Sequence, residues 1–282
     1  MKWSALLLVV GVAAPAHATV RSTTGAGTPL EWRQACPLLT LSTGPGAPVS
    51  LDQLRGLVDD AIAAWSAPGC SNLPLAVDGT TDDAPDVGWD GRNLVLWRPP
   101  GFCDDPASAD DNLCDGAGIL AVTTTFYYDR PGRPEDGALI EADLEINLAM
   151  AWATDGRPDA YDLPAVLTHE LGHVLGFAHT CAPSGTTARD ADGRPVPGCF
   201  PLSALPAGAV AATMYPYALP GEQQRRSPEP DETAALCALY HDRDATCERL
   251  TPGCGCTSGS SGAPALVLIM LVALRLSLRR KP

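Results

Sequence analysis

The chain has little positive charge between its two ends. Its only two lysines, Lys2 and Lys281, lie in the terminal segments 1–18 and 264–282. The body between these segments holds 14 arginines against 33 acidic residues, a net charge of −19. Because nucleic acids and anionic membrane surfaces are bound through clustered basic side chains, we expect the body to bind neither of them.

The chain also lacks an apolar run of the ~20 residues that cross a bilayer comfortably. Its C-terminal run, 265–274, is shorter, and it is followed by Arg275 and the basic cluster Arg279-Arg280-Lys281. A Gly/Ser linker with two cysteines, 251–264, precedes it. This order resembles the MYXO-CTERM sorting tail: a cysteine-bearing linker, a short apolar helix and terminal arginines.

That resemblance implies that the tail, 265–282, is removed near Cys254 or Cys256 and that the protein passes to the cell surface or beyond. The alternative is that the tail stays attached as a plain C-terminal anchor. In that case the tail is the only part of the chain that we expect to contact a membrane.

The N-terminal end also indicates export. Lys2, an apolar stretch from Trp3 to Ala14 and the small-x-small triplet ending at Ala18 are typical of a signal peptide over 1–18. A buried N-terminal helix is the alternative.

The cysteines fit an exported protein. Eight of them lie in the body, and an even number in a secreted chain suggests disulfides. They are Cys36, Cys70, Cys103, Cys114, Cys181, Cys199, Cys237 and Cys247. We expect nearest neighbours to pair, because Cys103/Cys114 and Cys181/Cys199 each bracket a loop-like segment. None of the eight has the CxxC spacing of a structural zinc site.

The hydrophobic periodicity indicates an α+β domain in which strands and helices interleave. Ser50 and Asp162 are suited to cap two of the helices. The predicted helices are Leu51–Trp65, Asp162–Leu175 and Asp231–Tyr240. The predicted strands are Pro37–Leu41, Leu73–Val77, Asn93–Trp97, Ile119–Tyr128 and Leu139–Asn147. In the last strand apolar and acidic residues alternate, which predicts one solvated face.

One segment carries most of the functional information: His169-Glu170-Leu-Gly-His173-Val-Leu-Gly176-Phe-Ala-His179. On a helix, His169 and His173 lie on one face, one turn apart, and can bind one metal ion. Gly176 can adopt the left-handed conformation that ends a helix, so that His179 can return as a third ligand. The spaced glycine and third histidine make this motif far more restrictive than HExxH alone.

Three imidazoles leave a fourth position open for water, which is typical of catalytic rather than structural zinc. Zinc lowers the pKa of such a water to near neutrality, and Glu170 can take its proton and pass it to the leaving amine. Of the other two histidines, His17 lies in the leader and His241 stands alone. The sequence therefore predicts one catalytic zinc per chain.

These residues resemble the metzincin metallopeptidases and, among them, the matrixins. Met214 and the Tyr215-Pro216-Tyr217 that follows it match the matrixin Met-turn, and Asp231-Glu232 with Leu239-Tyr240 resembles the pattern of the last matrixin helix. The resemblance covers roughly residues 29–242. It implies an α+β fold: a twisted five-stranded mixed sheet, three helices and a cleft that carries the zinc.

The resemblance also assigns roles around the cleft. Met214 would form an apolar floor beneath the three histidines. The strand Ile119–Tyr128 would be the upper edge of the cleft, to which an extended peptide adds as a further strand. Tyr215, Pro216 and Tyr217 would wall the pocket for the side chain after the scissile bond. We expect that pocket to favour apolar residues, because nothing near Met214 offers a charge.

The chain departs from the matrixin pattern in three respects. An insertion of about 180–213, which contains Cys181 and Cys199, separates His179 from Met214 and should form a loop. No cysteine-switch propeptide is present, so we expect activity once the protein is exported and folded. The histidines of a second, structural zinc are missing. The acidic stretch 104–115 could bind calcium, but a solvated loop closed by Cys103–Cys114 is the favoured alternative.

The sequence therefore predicts a secreted or surface zinc endopeptidase that acts as a monomer on protein or peptide substrates. Its domain would span 29–250, after a short N-terminal segment, 19–28. A zinc-binding adhesin that keeps the fold without turnover is the alternative from another class, and a metal-free domain would require an accidental motif. The retained Glu170 favours the enzyme, because a pure ligand site needs only the histidines.

Overall fold

A computed structural model describes residues 19–33, 35–42, 44–81, 86–99, 118–183, 189–190, 193–241 and 265–273. Several predictions lie outside these residues: the signal peptide over 1–18, the acidic stretch 104–115 with Cys103–Cys114, and the linker 251–264. The calcium hypothesis and the processing of the two ends therefore stay predictions.

Within the described residues the chain forms three α-helices and twelve strands, several of them only two residues long. The helices are α1 (Leu51–Ser66), α2 (Leu163–Val174) and α3 (Pro230–Tyr240). The strands are β1 (Val20–Arg21), β2 (Glu31–Trp32), β3 (Leu38–Ser42), β4 (Ala76–Thr80), β5 (Asn93–Arg98), β6 (Ile119–Tyr127), β7 (Ala138–Asn147), β8 (Trp152–Ala153), β9 (Tyr161–Asp162), β10 (Phe177–Ala178), β11 (Tyr217–Ala218) and β12 (Ala265–Ala273).

The predicted α+β fold is confirmed. The five longer strands expected from the sequence form a mixed sheet in the order β4-β3-β5-β7-β6. The first four are parallel, and β6 is antiparallel to β7. Strand β2 pairs with β7, while β12 and β11 extend the sheet beyond β6. Strand β6 and its neighbours therefore lie next to the helix that carries the histidine motif.

Helices α1 and α2 pack together beneath the sheet and form the main core. Ser50 caps α1, and Ser50 and Gln53 form a reciprocal capping box. The apolar stripe of α1 is buried through Leu54, Val58 and Trp65. Trp65 stacks on Phe177 with ring centroids 5.4 Å apart. This packing fixes α2, and with it the histidines, against the sheet.

Two predictions are wrong: where strand β4 begins and which cysteine bonds to Cys70. Both concern the segment that precedes β4. The strand begins at Ala76, not at Leu73. Cys70 bonds to Cys237 of α3 rather than to a nearest neighbour in sequence, and the Asn72 amide donates to the Tyr240 carbonyl. The segment before β4 is therefore held to α3, and sheet pairing starts only after it. The Cys181–Cys199 disulfide is confirmed.

Strand β7 has no solvated face. All of its residues are buried, including the acidic Glu141, Asp143 and Glu145. The segment 86–92 donates backbone N–H groups to Glu141 and Asp143. Arg98 forms a 2.8 Å ion pair with Glu145. Alternation along the strand therefore marks one apolar face and one buried polar face, not a wet one.

The C-terminal apolar run is a strand and not the short helix implied by the sorting-tail resemblance. Residues 265–273 form β12, which pairs antiparallel with β6. No helix within the described part of the chain has the length and apolar character needed to cross a membrane.

Candidate metal centre

Helix α2 carries His169, Glu170 and His173, and its start follows from two residues. The Asp162 side chain accepts a hydrogen bond from the Ala165 amide at 3.1 Å, as the sequence predicts for a cap. Pro164 lies in the first turn, where its missing N–H costs no helical hydrogen bond. Every residue of α2 other than Pro164 is buried. The histidines therefore project from a rigid element inside the protein.

Three aromatic side chains from other elements hold α2 in place through its backbone carbonyls. The indole N–H of Trp65 donates to the Thr168 carbonyl at 2.8 Å. The indole N–H of Trp32 donates to the Val174 carbonyl at 2.7 Å. The Tyr240 hydroxyl of α3 donates to the carbonyl of Leu175 at 2.9 Å. These bonds fix the helix along its length and at its C-terminal end.

The chain reverses at Gly176, which has a φ of +90°. A Cβ atom there would lie 2.6 Å from the Leu30 carbonyl oxygen, so only glycine fits without movement. Beyond the turn, Phe177 and Ala178 form β10, which pairs antiparallel with β1. The glycine and this short pairing bring His179 back toward α2.

The three histidines meet through their Nε2 atoms. The Nε2 of His169 lies 3.0 Å from that of His173, and the Nε2 of His179 lies 3.2 Å from each of the other two. His169 Nδ1 faces the Thr213 carbonyl at 2.6 Å, and His173 Nδ1 faces the Phe177 carbonyl at 2.8 Å. A carbonyl only accepts, so both Nδ1 atoms carry the hydrogen, and both Nε2 atoms present lone pairs.

This arrangement fits a metal ion. Neutral Nε2 lone pairs that converge repel one another unless a cation lies among them. Tetrahedral zinc with Zn–N distances near 2.0–2.1 Å would place its nitrogens about 3.3 Å apart, close to the observed spacing. Burial lowers the pKa of His173 to about 4 and lowers the pKa values of His169 and His179 well below their usual value. The rings are therefore neutral ligands at physiological pH.

Glu170 follows His169 on α2 and is fully buried. The Thr123 hydroxyl of β6 donates to its Oε2 at 2.6 Å, while its Oε1 has no hydrogen-bond partner among the described residues. Burial raises the pKa of Glu170 to about 8, and the Thr123 bond opposes that rise. A cation bound at the histidines would lower the same pKa, because an opposite charge favours the carboxylate.

The Met-turn packs under α2 and is held in place by Thr180 and by helix α3. Met214 is fully buried, and its carbonyl accepts from the Thr180 amide at 3.0 Å, next to His179. The Glu232 carboxylate of α3 accepts from the Thr213 and Met214 amides at 3.1 and 2.8 Å. Glu232 therefore holds the turn whose Thr213 carbonyl orients His169.

Gly172 is a site residue that the sequence reasoning missed. A Cβ atom on it would overlap the Met214 sulfur and lie 2.9 Å from Trp65. The helix thus has no side chain at this point, so the Met-turn can approach it closely. Gly172 lies within the histidine motif, but nothing in the neighbouring sequence indicates that Met214 packs against it.

A small cavity opens beside His169. Its wall includes His169, Val166, Thr213 and Tyr215, together with Asp162, Glu222 and Arg225. Of the predicted pocket residues, Tyr215 lines this cavity, Pro216 is buried beside it, and Tyr217 lies on β11.

The expectation that no charge lies near this pocket is wrong. Arg225 forms a 3.0 Å ion pair with Glu222, and its guanidinium lies 5.0 Å from the centre of the Tyr215 ring. Arg225 also donates to the Tyr217 and Val210 carbonyls. The charge is distant from Met214 in sequence, and the turn after β11 brings it back. Because Arg225 is paired with Glu222 in the cavity wall, it contributes more to the shape of the cavity than to its net charge.

The insertion is anchored at the site. The Cys181–Cys199 disulfide is buried against Tyr215 and begins two residues after His179. Its described residues form isolated bridges and one three-residue 3-10 turn, Leu202–Ala204, in keeping with the predicted loop. The disulfide therefore fixes the root of the loop next to His179 and the other two histidines.

Comparison with protein families agrees with this geometry. Residues 107–188, which include the whole histidine motif, match the matrixin peptidase family. Among the described residues, His169, His173 and His179 are the one group of side chains whose atoms converge as metal ligands. The resemblance to a matrixin-like metzincin is thus confirmed, and the match and the site together indicate a zinc metallopeptidase. No curated protein matches the chain significantly.

Proposed function

We propose that the protein is an exported zinc endopeptidase with Glu170 as its general base. The convergence of three histidine Nε2 atoms, with the buried carboxylate of Glu170 beside His169 on the same helix, carries this proposal. His169, His173 and His179 would hold the zinc. A binding module would need the three histidines, but it would have no use for a glutamate buried at their side.

Each residue of the site would have a separate role in peptide hydrolysis. Zinc, when bound, would supply Lewis acidity, activating water and polarising the peptide carbonyl. Glu170 Oε1, the oxygen without a partner, would take a proton from the attacking water. The same carboxyl would then deliver that proton to the leaving amine, so that peptide and water become an acid and an amine. Thr123 would hold Glu170 in place by donating to Oε2.

Substrate would bind in extended form along β6. An added strand there would pair with backbone groups of the sheet, and its side chains would enter pockets at the edge. The cavity lined by Tyr215 lies beside His169 and would take the side chain after the scissile bond. We infer that it prefers uncharged side chains, because Arg225 and Glu222 already satisfy each other.

The leader and the sorting-like tail support export, so we propose that the peptidase works at the cell surface or outside the cell, as a monomer. The Met-turn is proposed to serve as the apolar support of the metal site, with Met214 against Gly172.

Replacing Glu170 by Gln tests this function directly. The variant should fold and bind one zinc, but its hydrolysis of a protein substrate should fall at least ~10²-fold, because proton transfer is lost. Zinc content and cleavage products by mass spectrometry would be measured side by side. If the wild type binds zinc yet cleaves no peptide bond with or without its C-terminal strand, a binding module is the better reading.

A further inference from the structure

Strand β12 lies between β6 and β11, next to the candidate metal centre. It pairs antiparallel with β6 from Ala265↔Tyr127 to Val272↔Ile119. At its end it also pairs in parallel with β11, through Tyr217↔Val272 and Ala218↔Ala273. The C-terminal segment thus fills the space between β6 and the chain that follows the Met-turn.

The register places the middle of β12 at the level of the proposed base. Ile269 is the partner of Thr123, and Thr123 is the residue that donates to Glu170. On the other side, β11 begins two residues after Tyr215, which lines the cavity beside His169. The backbone of β12 therefore runs between β6 and β11, next to the proposed catalytic residues.

A substrate that added to β6 would need the same backbone groups. Each outward N–H and C=O of a strand pairs with one neighbouring strand at a time. Strand β12 and an extended substrate are therefore mutually exclusive on β6. The composition of 265–273 suits an added strand, because it contains β-branched and other apolar residues with no charge and no proline.

We propose that residues 265–273 are an internal ligand of the substrate cleft and keep the peptidase latent while the C-terminal tail remains attached. This inference rests on the proposed function and adds its regulation. Residues 241–264 connect α3 to β12, and an extended chain covers ~3.3 Å per residue, so the segment is long enough to reach the cleft of its own molecule. Loss of the tail during export would open the cleft and activate the enzyme.

The expected strength of the effect follows from tethering. A tethered segment has an effective concentration on the order of millimolar, whereas enzymes bind substrates with KM values of roughly 1 μM–1 mM. The attached strand should therefore weaken substrate binding about tenfold or more. It should act mainly on KM, because it competes for the substrate's place and leaves the reacting groups unchanged.

Proline substitution within β12 tests the proposal in the full chain. Adjacent amides of a strand point to opposite sides, so Leu268→Pro with Ile269→Pro removes one N–H that faces β6. The control, Leu276→Pro with Ser277→Pro, introduces the same two adjacent prolines beyond the strand. Hydrogen exchange of the β6 amides should be faster in the strand variant than in the control and the parent. Equal exchange in all three would overturn the pairing.

Binding is measured in a Glu170→Gln background, where the probe is not consumed. A fluorescent, uncharged peptide of eight residues would be titrated and followed by anisotropy. We expect the strand variant to bind it about tenfold more tightly than the control. Equal affinity would overturn the proposal.

Turnover separates this proposal from the proposed function. With Glu170 intact, the strand variant should show a kcat/KM about tenfold above the control. If binding responds to the strand variant but no protein hydrolyses peptide, the peptidase function fails and the internal ligand stands. If parent, control and strand variant hydrolyse peptide equally, the internal ligand fails and the function stands.

Discussion

At the scale of single residues, the buried Glu170 carboxylate accepts a hydrogen bond from the hydroxyl of Thr123. Thr123 is on β6 and Glu170 on α2, 47 residues further along the chain, so no sequence pattern links them. The histidine motif, by contrast, was visible because its geometry is local: one helical turn and one glycine place the three ligands. The sequence therefore predicts the three histidines and the adjacent Glu170 that the structure brings together, but it gives no sign of Thr123 and Gly172, which act through tertiary contacts.

Replacing Thr123 by Val should move the acidic limb of the pH–activity profile to higher pH. The hydroxyl's hydrogen bond lowers the pKa of Glu170, so its loss raises that pKa and keeps the base protonated to higher pH. A hydrogen bond to a charged group contributes ~1.5–3 kcal/mol, so kcat/KM at pH 6 should fall about tenfold and recover as the pH rises.

Thr124→Val is the matched control for this change. The Thr124 hydroxyl is buried on the same strand but has no hydrogen-bond partner among the described residues. Its loss should leave the profile in place. A Thr123→Val enzyme with an unshifted profile would show that Thr123 does not hold the base.

At the scale of elements, α3 holds two segments that lie next to the three histidines. Its first turn supplies Glu232, which binds the Met-turn amides, and its last turn supplies Tyr240, which binds the end of α2. The sequence resemblance recognised both residues as a pattern. It could not show their contacts, since these cross from one end of the domain to the other.

Replacing Glu232 by Gln should weaken zinc binding. The amide offers one acceptor where the carboxylate had two, so a buried N–H of the Met-turn loses its partner, at a cost of ~1–3 kcal/mol. The turn then holds the Thr213 carbonyl less firmly against His169. We expect zinc affinity, measured by competition with a chelator, to fall roughly 10–100-fold, as for other groups that orient metal ligands.

The neighbouring Asp231→Asn serves as control, because Asp231 precedes the residue that binds the turn and accepts from Thr19 at the surface side of α3. Its zinc affinity should stay close to that of the wild type. If both variants bind zinc equally well, Glu232 supports the helix and not the metal site.

At the scale of the whole molecule, the sheet separates an apolar face from a buried acidic one. Alternation along β7 correctly located the apolar residues, but it could not show that residues 86–92 donate backbone N–H groups to Glu141 and Asp143 on the acidic face. Burial raises the pKa values of Glu141 and Glu145 to about 7 and the pKa of Asp143 to about 8. The sorting-tail resemblance implied a helix over 265–273, but an apolar run of this length fits both states, and pairing with β6 makes it a strand.

These shifted pKa values predict that stability falls as the pH rises. The folded state holds the protons of Glu141, Asp143 and Glu145 more tightly than the unfolded state does, so its advantage is full below about pH 4. It is lost as the pH rises through the folded values of about 7 to 8. Urea unfolding of the zinc-saturated protein at pH 5, 6.5 and 8 would measure this decline.

Asp143→Asn should flatten the decline, because its side chain has no proton to lose over this range. The exposed Asp59→Asn on α1 is the control and should keep the wild-type slope. The explanation would be wrong if Asp143→Asn and the wild type lost stability in parallel.

The central claim is that one zinc on three histidines makes this protein a peptidase. Its most direct test is to strip the metal from the full chain carrying the Leu268→Pro and Ile269→Pro substitutions, and to follow peptide-bond hydrolysis as zinc is added back. We predict that activity rises in proportion to zinc and reaches its plateau at one zinc per chain. No hydrolysis at saturating zinc, or a plateau only at two zincs per chain, would contradict this account.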